Sequence, residues 1–306
     1  MSHQASPHSV RVAAPAKINL GLEIVGRRDD GYHEIATILQ AIRLHDQLTL
    51  EPADGIRSTD PLPDIPDGEN LALRALRLLS ERTGGDRGAW LDLRKSIPAA
   101  AGLGGASADA AAALLAARDL WRLTIGDEAL AGIAAGLGSD VPFFLHGGTA
   151  LATGRGERLA PLPTPAFTAV VVCPKIRIPR KTATLYGALR PDDFSDGDRV
   201  LAQADRLRAG LPPDPDLLGN AFARALYGLR PELADLPPLM RANGAAHPAI
   251  SGAGPSHYAL FEDPEEAVAV AQRLEPAMGN AAEIVVSATR QEPVRITITS
   301  PRTVSG

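Results

Sequence analysis

The chain has one cysteine in 306 residues, only 4% aromatics, and no apolar run approaching the length of a membrane span. A lone cysteine cannot form an internal disulfide, so stability must come from the core, and a reducing, cytoplasmic location fits. Cys173 lies inside the run AVVVC and reads as a buried strand residue rather than a nucleophile. A basic run is also missing and the net charge is −5, which argues against nucleic acid and anionic membrane as partners. A local basic pocket for phosphates stays open. The first nine residues, MSHQASPHS, lack the basic and apolar segments of a signal peptide and read as a disordered tail. Hydrophobic content of 45% over this length suffices for a sizeable core and suggests two domains.

The most informative stretch that is present runs from Pro98 to Ala113, PAAAGLGGASADAAAA. Gly102, Gly104 and Gly105 permit positive φ and close backbone approach, so several N–H groups can converge on one point. The helix predicted after them adds unpaired N–H groups and the positive end of its dipole. Ser107 is a good N-cap. Such an assembly holds anions, most often phosphate; a tight turn leading into a packed helix is the alternative. It is not a Walker loop, because no lysine follows Gly105, and it lacks the third glycine of a dinucleotide fingerprint.

In chain order, VRVAAPAKINLGLEIVG predicts two strands with a break at Pro15, and Lys17 just beyond the break could face a cleft or simply solvent. A charged Asp-Gly turn leads to Tyr32 and His33, which could shelve a planar ligand or merely pack. The Pro- and Asp-rich segment 53–68 reads as a surface excursion, and Asn70 opens an amphipathic helix. Asp140 stands between a glycine-rich turn and the apolar run VPFF, where it could cap a helix or act as a partly desolvated carboxylate. Gly154 to Glu157 reads as a hairpin turn. The proline-rich segment 161–165 is the expected boundary, giving a tail over 1–9 and domains over 10–163 and 164–306. The second half alternates strands and helices in an α+β pattern that suggests a ferredoxin-like layer.

PAKINL, PAAAGLGGASADAA and SGAGPS together resemble the signature set of the GHMP small-molecule kinases. PAKINLGLEIVGRRDDGYHE and GSDVPFFLHGGTALATGRGE resemble those members that phosphorylate the 2-hydroxyl of a cytidine diphosphate-linked methylerythritol in isoprenoid precursor synthesis. The resemblance implies an N-terminal ATP-binding domain like domain 2 of ribosomal protein S5, a ferredoxin-like C-terminal domain, and a site between them. It assigns catalysis to Lys17 and Asp140. The ATP phosphates fall to Pro98, Ala99, Ala100, Ala101, Gly102, Leu103, Gly104, Gly105, Ala106, Ser107 and Ala108. Substrate contacts fall to Asn19, Tyr32, His33, Gly252 and Gly254, with Tyr186 as candidate second aromatic partner of the base.

The resemblance further implies ATP as co-substrate with Mg²⁺, toward which Ser107 would supply a hydroxyl. Asp140 would take the proton of the accepting alcohol, and Lys17 would keep Asp140 ionised and steady the developing charge. The chain departs from the family at Ala100, Ala101 and Ala106, where glycine is frequent, and in IPRKTATLY, where a Ser-Thr link is frequent. A kinase for homoserine or a mevalonate derivative, or a non-catalytic sensor on the same fold, are the competing readings. The first would have no use for Tyr32 and His33, and the second no need of Lys17 and Asp140.

Overall fold

The computed structural model describes residues 8–58, 70–291, 294 and 296–299. Residues 1–7 of the expected tail and most of the expected excursion over 53–68 lie outside them, whereas Ser9 already begins the first strand. β1 (Ser9–Arg27) and β2 (His33–Glu51) form a long antiparallel hairpin. Pro15 does not break β1: the register shifts between Pro15 and Lys17, and the bulge takes up the missing amide. The hairpin continues into β3 (Ile56–Ser58), α1 (Leu71–Arg82), β4 (Ala89–Arg94) and α2 (Gly105–Leu120). Asn70 caps α1, accepting the amides of Ala72 and Leu73.

Next come α3 (Asp127–Ala135), α4 (Val141–His146), β5 (Thr149–Gly154) and β6 (Arg158–Leu162). The run VPFF is thus helical, with Pro142 in the first turn, where its missing N–H costs nothing. The first sheet has the order β11-β1-β2-β4-β3, where β11 is Ile296–Thr299, with β5 on β2 and β6 on β5. The alanines of α2 from Ala108 onward are buried and small, which lets this helix lie close against α1 and the sheet.

The second half contains β7 (Thr168–Pro174), α5 (Lys181–Gly187), α6 (Asp198–Arg208), α7 (Ala223–Leu229) and α8 (Leu236–Ala242). β8 (Ala249–Ile250), β9 (His257–Phe261), α9 (Pro264–Met278), β10 (Ala282–Ala288) and β11 (Ile296–Thr299) follow. Four strands form an antiparallel sheet in the order β10-β7-β9-β8, the ferredoxin-like arrangement. β11 then leaves that half and pairs with β1, so it belongs to the first sheet although the division at 163 counts it with the second. A shared core of Ile18, Ile38, Leu103, Val171 and Tyr258 joins the two sheets, and the cleft lies along this seam. Among the described residues no helix is long and apolar enough to cross a membrane.

Candidate active site

The loop preceding α2 is held from both halves of the molecule. Gly104, with φ 75°, is the N-cap of α2, and Ser107 sits inside the first turn without a capping bond. The capping role expected of Ser107 is therefore taken by a glycine, which enters the left-handed region without a Cβ penalty. Gly102, with φ 88°, lies so close to the second half that a Cβ there would meet the Ser251 carbonyl at 2.3 Å. Ala100 adopts φ 54° despite its side chain, a strained position that a glycine would take without a Cβ penalty. Residues 98–107 line a cavity of about 330 Å³, together with Asn70, Leu71, Lys95 and Asp109. Ala108 does not reach it, because it is turned into the core.

Beneath the loop, Lys95 bridges Asp46 on β2 and Asp109 on α2, with 2.6 Å to Asp109. Asp46 also accepts the amides of Ser96 and Ile97 at 2.6 and 2.8 Å, fixing the entry to the loop. Burial pushes the Asp109 carboxyl up, against the pull of Lys95. The sequence reading missed this triad. Its signal was Asp109, an acid set in an alanine run, which in a core needs a cation; Asp46, between His45 and Gln47, gave none.

The larger cavity, about 1170 Å³, adjoins the first. Lys17 is buried at its floor, with Nζ donating to Asn19 Oδ1 at 2.7 Å and lying 3.8 Å from Asp140 Oδ2. Burial pushes the Lys17 ammonium below the usual lysine range, and the Asp140 charge opposes that shift. Asp140 stands at the N-cap of α4 but makes no capping bond, and its side chain is 36% exposed. The carboxylate is thus left free to face the cleft. Asn19 is largely committed: its Oδ1 also accepts the Gly252 amide at 2.8 Å, and its Nδ2 donates to Thr37 at 2.8 Å. The Tyr258 hydroxyl donates to the Asn19 carbonyl at 2.5 Å. Asn19 therefore couples Lys17 to the glycine loop of the second half. Gly252 borders the cavity, whereas Gly254 borders neither and packs against Leu226.

At the far end the aromatics gather. His33 and Tyr186 face one another at 4.9 Å between centroids, tilted by 30°, and Phe194 meets His33 edge-on at 5.9 Å. Phe222 buttresses Tyr186 at 5.0 Å. Tyr32 is 55% exposed, with the Arg155 guanidinium 4.8 Å from its ring centroid. Tyr186 stands on α5, a helix that the sequence reading did not assign. Lys181 and Thr182 at the start of the same helix border both cavities and were also missed.

Comparison with known proteins follows this geometry. Residues 70–148 match the GHMP kinases N terminal domain, and residues 213–281 match the GHMP kinases C terminal domain. A 4-diphosphocytidyl-2-C-methyl-D-erythritol kinase of Kineococcus radiotolerans is 43% identical over 296 residues, covering 89% of this chain and 87% of the relative. Its counterpart in Pelotomaculum thermopropionicum is 42% identical, with coverages of 86% and 93%. The crystal structure of a 4-(cytidine 5'-diphospho)-2C-methyl-D-erythritol kinase superposes with a TM-score of 0.77 at 38% identity, covering 91% of this chain and 98% of that one. Homoserine kinase from Cytophaga hutchinsonii shares the fold, with a TM-score of 0.74 at 20% identity and coverages of 97% and 99%. The chain belongs to the GHMP kinases, ATP-using small-molecule kinases, and within them to the 4-diphosphocytidyl-2-C-methyl-D-erythritol kinase family.

Proposed function

We propose that the protein transfers the γ-phosphoryl group of ATP to the 2-hydroxyl of 4-diphosphocytidyl-2-C-methyl-D-erythritol. One observation carries this reading: the Lys17–Asp140 pair lies between a glycine-loop cavity on one side and an aromatic shelf on the other. ATP occupies the smaller cavity, with its phosphates on the amides of residues 98–107. The cytosine lies at the aromatic end, bounded by Tyr32, His33 and Tyr186. Residues 10–163 bind the nucleotide, and the segment from 164 to β10 closes the cleft.

The accepting hydroxyl gives its proton to Asp140 as its oxygen bonds to the γ-phosphorus and the bond to the departing ADP oxygen breaks. Lys17, held by Asn19, stabilises the Asp140 carboxylate and the charge spreading over the transferred oxygens. Among the described residues no group of three or more His, Cys, Asp or Glu side chains could hold a metal ion by itself. Magnesium carried on nucleotide phosphates needs only one or two protein oxygens, a set that the half-buried Ser107 hydroxyl at the junction of the cavities fits. When bound there, Mg²⁺ would neutralise phosphate charge. Burial pushes the Cys173 thiol up to about 11, so it stays protonated and is a poor nucleophile.

The test is ADP release with this cytidine diphosphate substrate, homoserine and mevalonate in parallel. Turnover confined to the cytidine substrate is expected; preference for either of the others would overturn the assignment.

A further inference from the structure

Lys181 is a charged side chain of the cleft that has no part in the chemistry above. The residues common to both cavities are Gly102, Gly104, Ser107, Lys181 and Thr182, and Lys181 is the cation among them. Its Nζ donates to the Ala100 carbonyl at 2.7 Å and to the Gly254 carbonyl. It therefore ties the phosphate loop of the first half to the glycine loop of the second. An ammonium has three donors, so one remains after these two bonds. Both backbone positions flanking this contact, Ala100 at φ 54° and Arg180 at φ 44°, are non-glycine residues in the left-handed region. Strain of that kind persists only where surrounding structure enforces it, and it gathers at ligand clamps.

Among the ionisable groups that line the two cavities with Lys181 are Lys17 on β1, Asp140 ahead of α4, Lys95 and Asp109 on the nucleotide side, and Tyr186 on its own helix, with Arg180 preceding it in the chain. Lys95 is already paired with Asp46 and Asp109, and Asp140 lies beside Lys17. Among the described residues Lys181 thus has no carboxylate of its own within hydrogen-bonding reach, and its bonds go to neutral carbonyls. Burial, and to a lesser degree the like charge of Lys17, push its ammonium down to about 8. An anion at this junction would relieve both.

We propose that Lys181 is a second phosphate-binding cation, giving its remaining N–H to the terminal phosphate of the nucleotide at the point where the two cavities meet. This rests on the kinase reading above, and it assigns a ligand contact to a segment where the chain departs from its family. Because the terminal phosphate is dianionic, its arrival holds Lys181 protonated.

Calorimetric titration of the full chain tests this, with ADP and a non-hydrolysable ATP analogue, at pH 8 in two buffers of different ionisation enthalpy. Wild type should take up protons when the analogue binds. Lys181→Met should lose about 10-fold or more in affinity for the analogue, the scale of a charged hydrogen bond. It should lose much less for ADP, keep its cytidine diphosphate affinity, and show reduced proton uptake. Lys181→Arg, whose charge does not titrate, should bind the analogue with that uptake likewise reduced. Equal losses for ADP and analogue, or uptake unchanged in either variant, would overturn the proposal and leave Lys181 a purely structural tie. Should Lys181→Met lose cytidine diphosphate binding as well, its fold has failed and the uptake of Lys181→Arg alone decides. A wild type that binds neither nucleotide would overturn the kinase reading and this proposal together, whereas normal turnover with an indifferent Lys181 would overturn only the latter.

Discussion

Under the proposed function, the nucleotide and cytidine ends of the cleft would recognise their ligands by opposite means. The nucleotide end is built of backbone: glycines and alanines from 98 to 107, held in place by Asp46, Lys95 and the second half of the chain. The cytidine end is built of side chains, His33, Tyr186 and Phe194, with Tyr32 and Arg155 at the rim. A phosphate needs many short hydrogen bonds from donors that cannot swing away, which amides at a helix start supply. A planar base needs flat apolar area and a few edge contacts, which aromatic rings supply. Backbone recognition can be removed only by changing the conformation of the chain, whereas side-chain recognition can be removed one residue at a time.

The sharpest break acts on neither end but on the chemistry between them. Asp140→Asn should lower kcat by roughly 10²- to 10⁴-fold, the range for a lost general base, with both ligands still binding by calorimetry. Near-normal turnover would remove Asp140 from the mechanism. Next in size, Gly104→Val puts a branched side chain at φ 75°, with its Cβ 2.7 Å from the Phe144 ring. Nucleotide affinity should fall by about 100-fold, corresponding to about 2.7 kcal/mol of strain and lost amide alignment, while cytidine diphosphate still binds. If both ligands were lost together, the two ends would not be separable.

The reciprocal change at the other end is Tyr186→Ala. Stacking of a base on an aromatic is worth roughly 1–3 kcal/mol, so substrate KM should rise about 5- to 150-fold with ATP affinity nearly unchanged. Steady-state kinetics with each substrate varied would show it, and a rise in ATP KM instead would place Tyr186 on the wrong side of the comparison. The smallest effect is expected at the rim. Arg155→Ala removes an exposed cation–π contact with Tyr32 worth about 0.5–1 kcal/mol, so KM for the cytidine substrate should rise only about 2- to 5-fold. No change at all would mean that Tyr32 needs no support.

The nucleotide end was the more legible in the sequence, for the same physical reason. Glycine spacing and the alanine-rich start of a helix are local properties, and they suggest an anion site before any tertiary contact forms. Even there the detail moved: Gly104 rather than Ser107 caps α2, since only the folded chain shows which residue must turn left-handed. The aromatic end was named through family resemblance, because a Tyr-His pair has no local pattern that separates a shelf from ordinary packing. Tyr186 came with the least local support, on a helix hidden by Pro179 and the β-branched Thr182 and Thr184. Lys181 carried no signal at all.

What the sequence determined by itself is the set of local elements: the phosphate loop and its helix, the Asn70-capped helix, the strand-forming runs and the absence of disulfides. Each follows from backbone freedom, capping and hydrophobic period within a short window. Only the tertiary structure decided which distant residues meet. It set Lys17 against Asp140, His33 against Tyr186 and Lys181 across Ala100 and Gly254, and it returned β11 to the first sheet. Those contacts depend on how two sheets close on a shared core, and burial at that seam, not residue type alone, makes Lys17 a depressed lysine at the floor of a cleft.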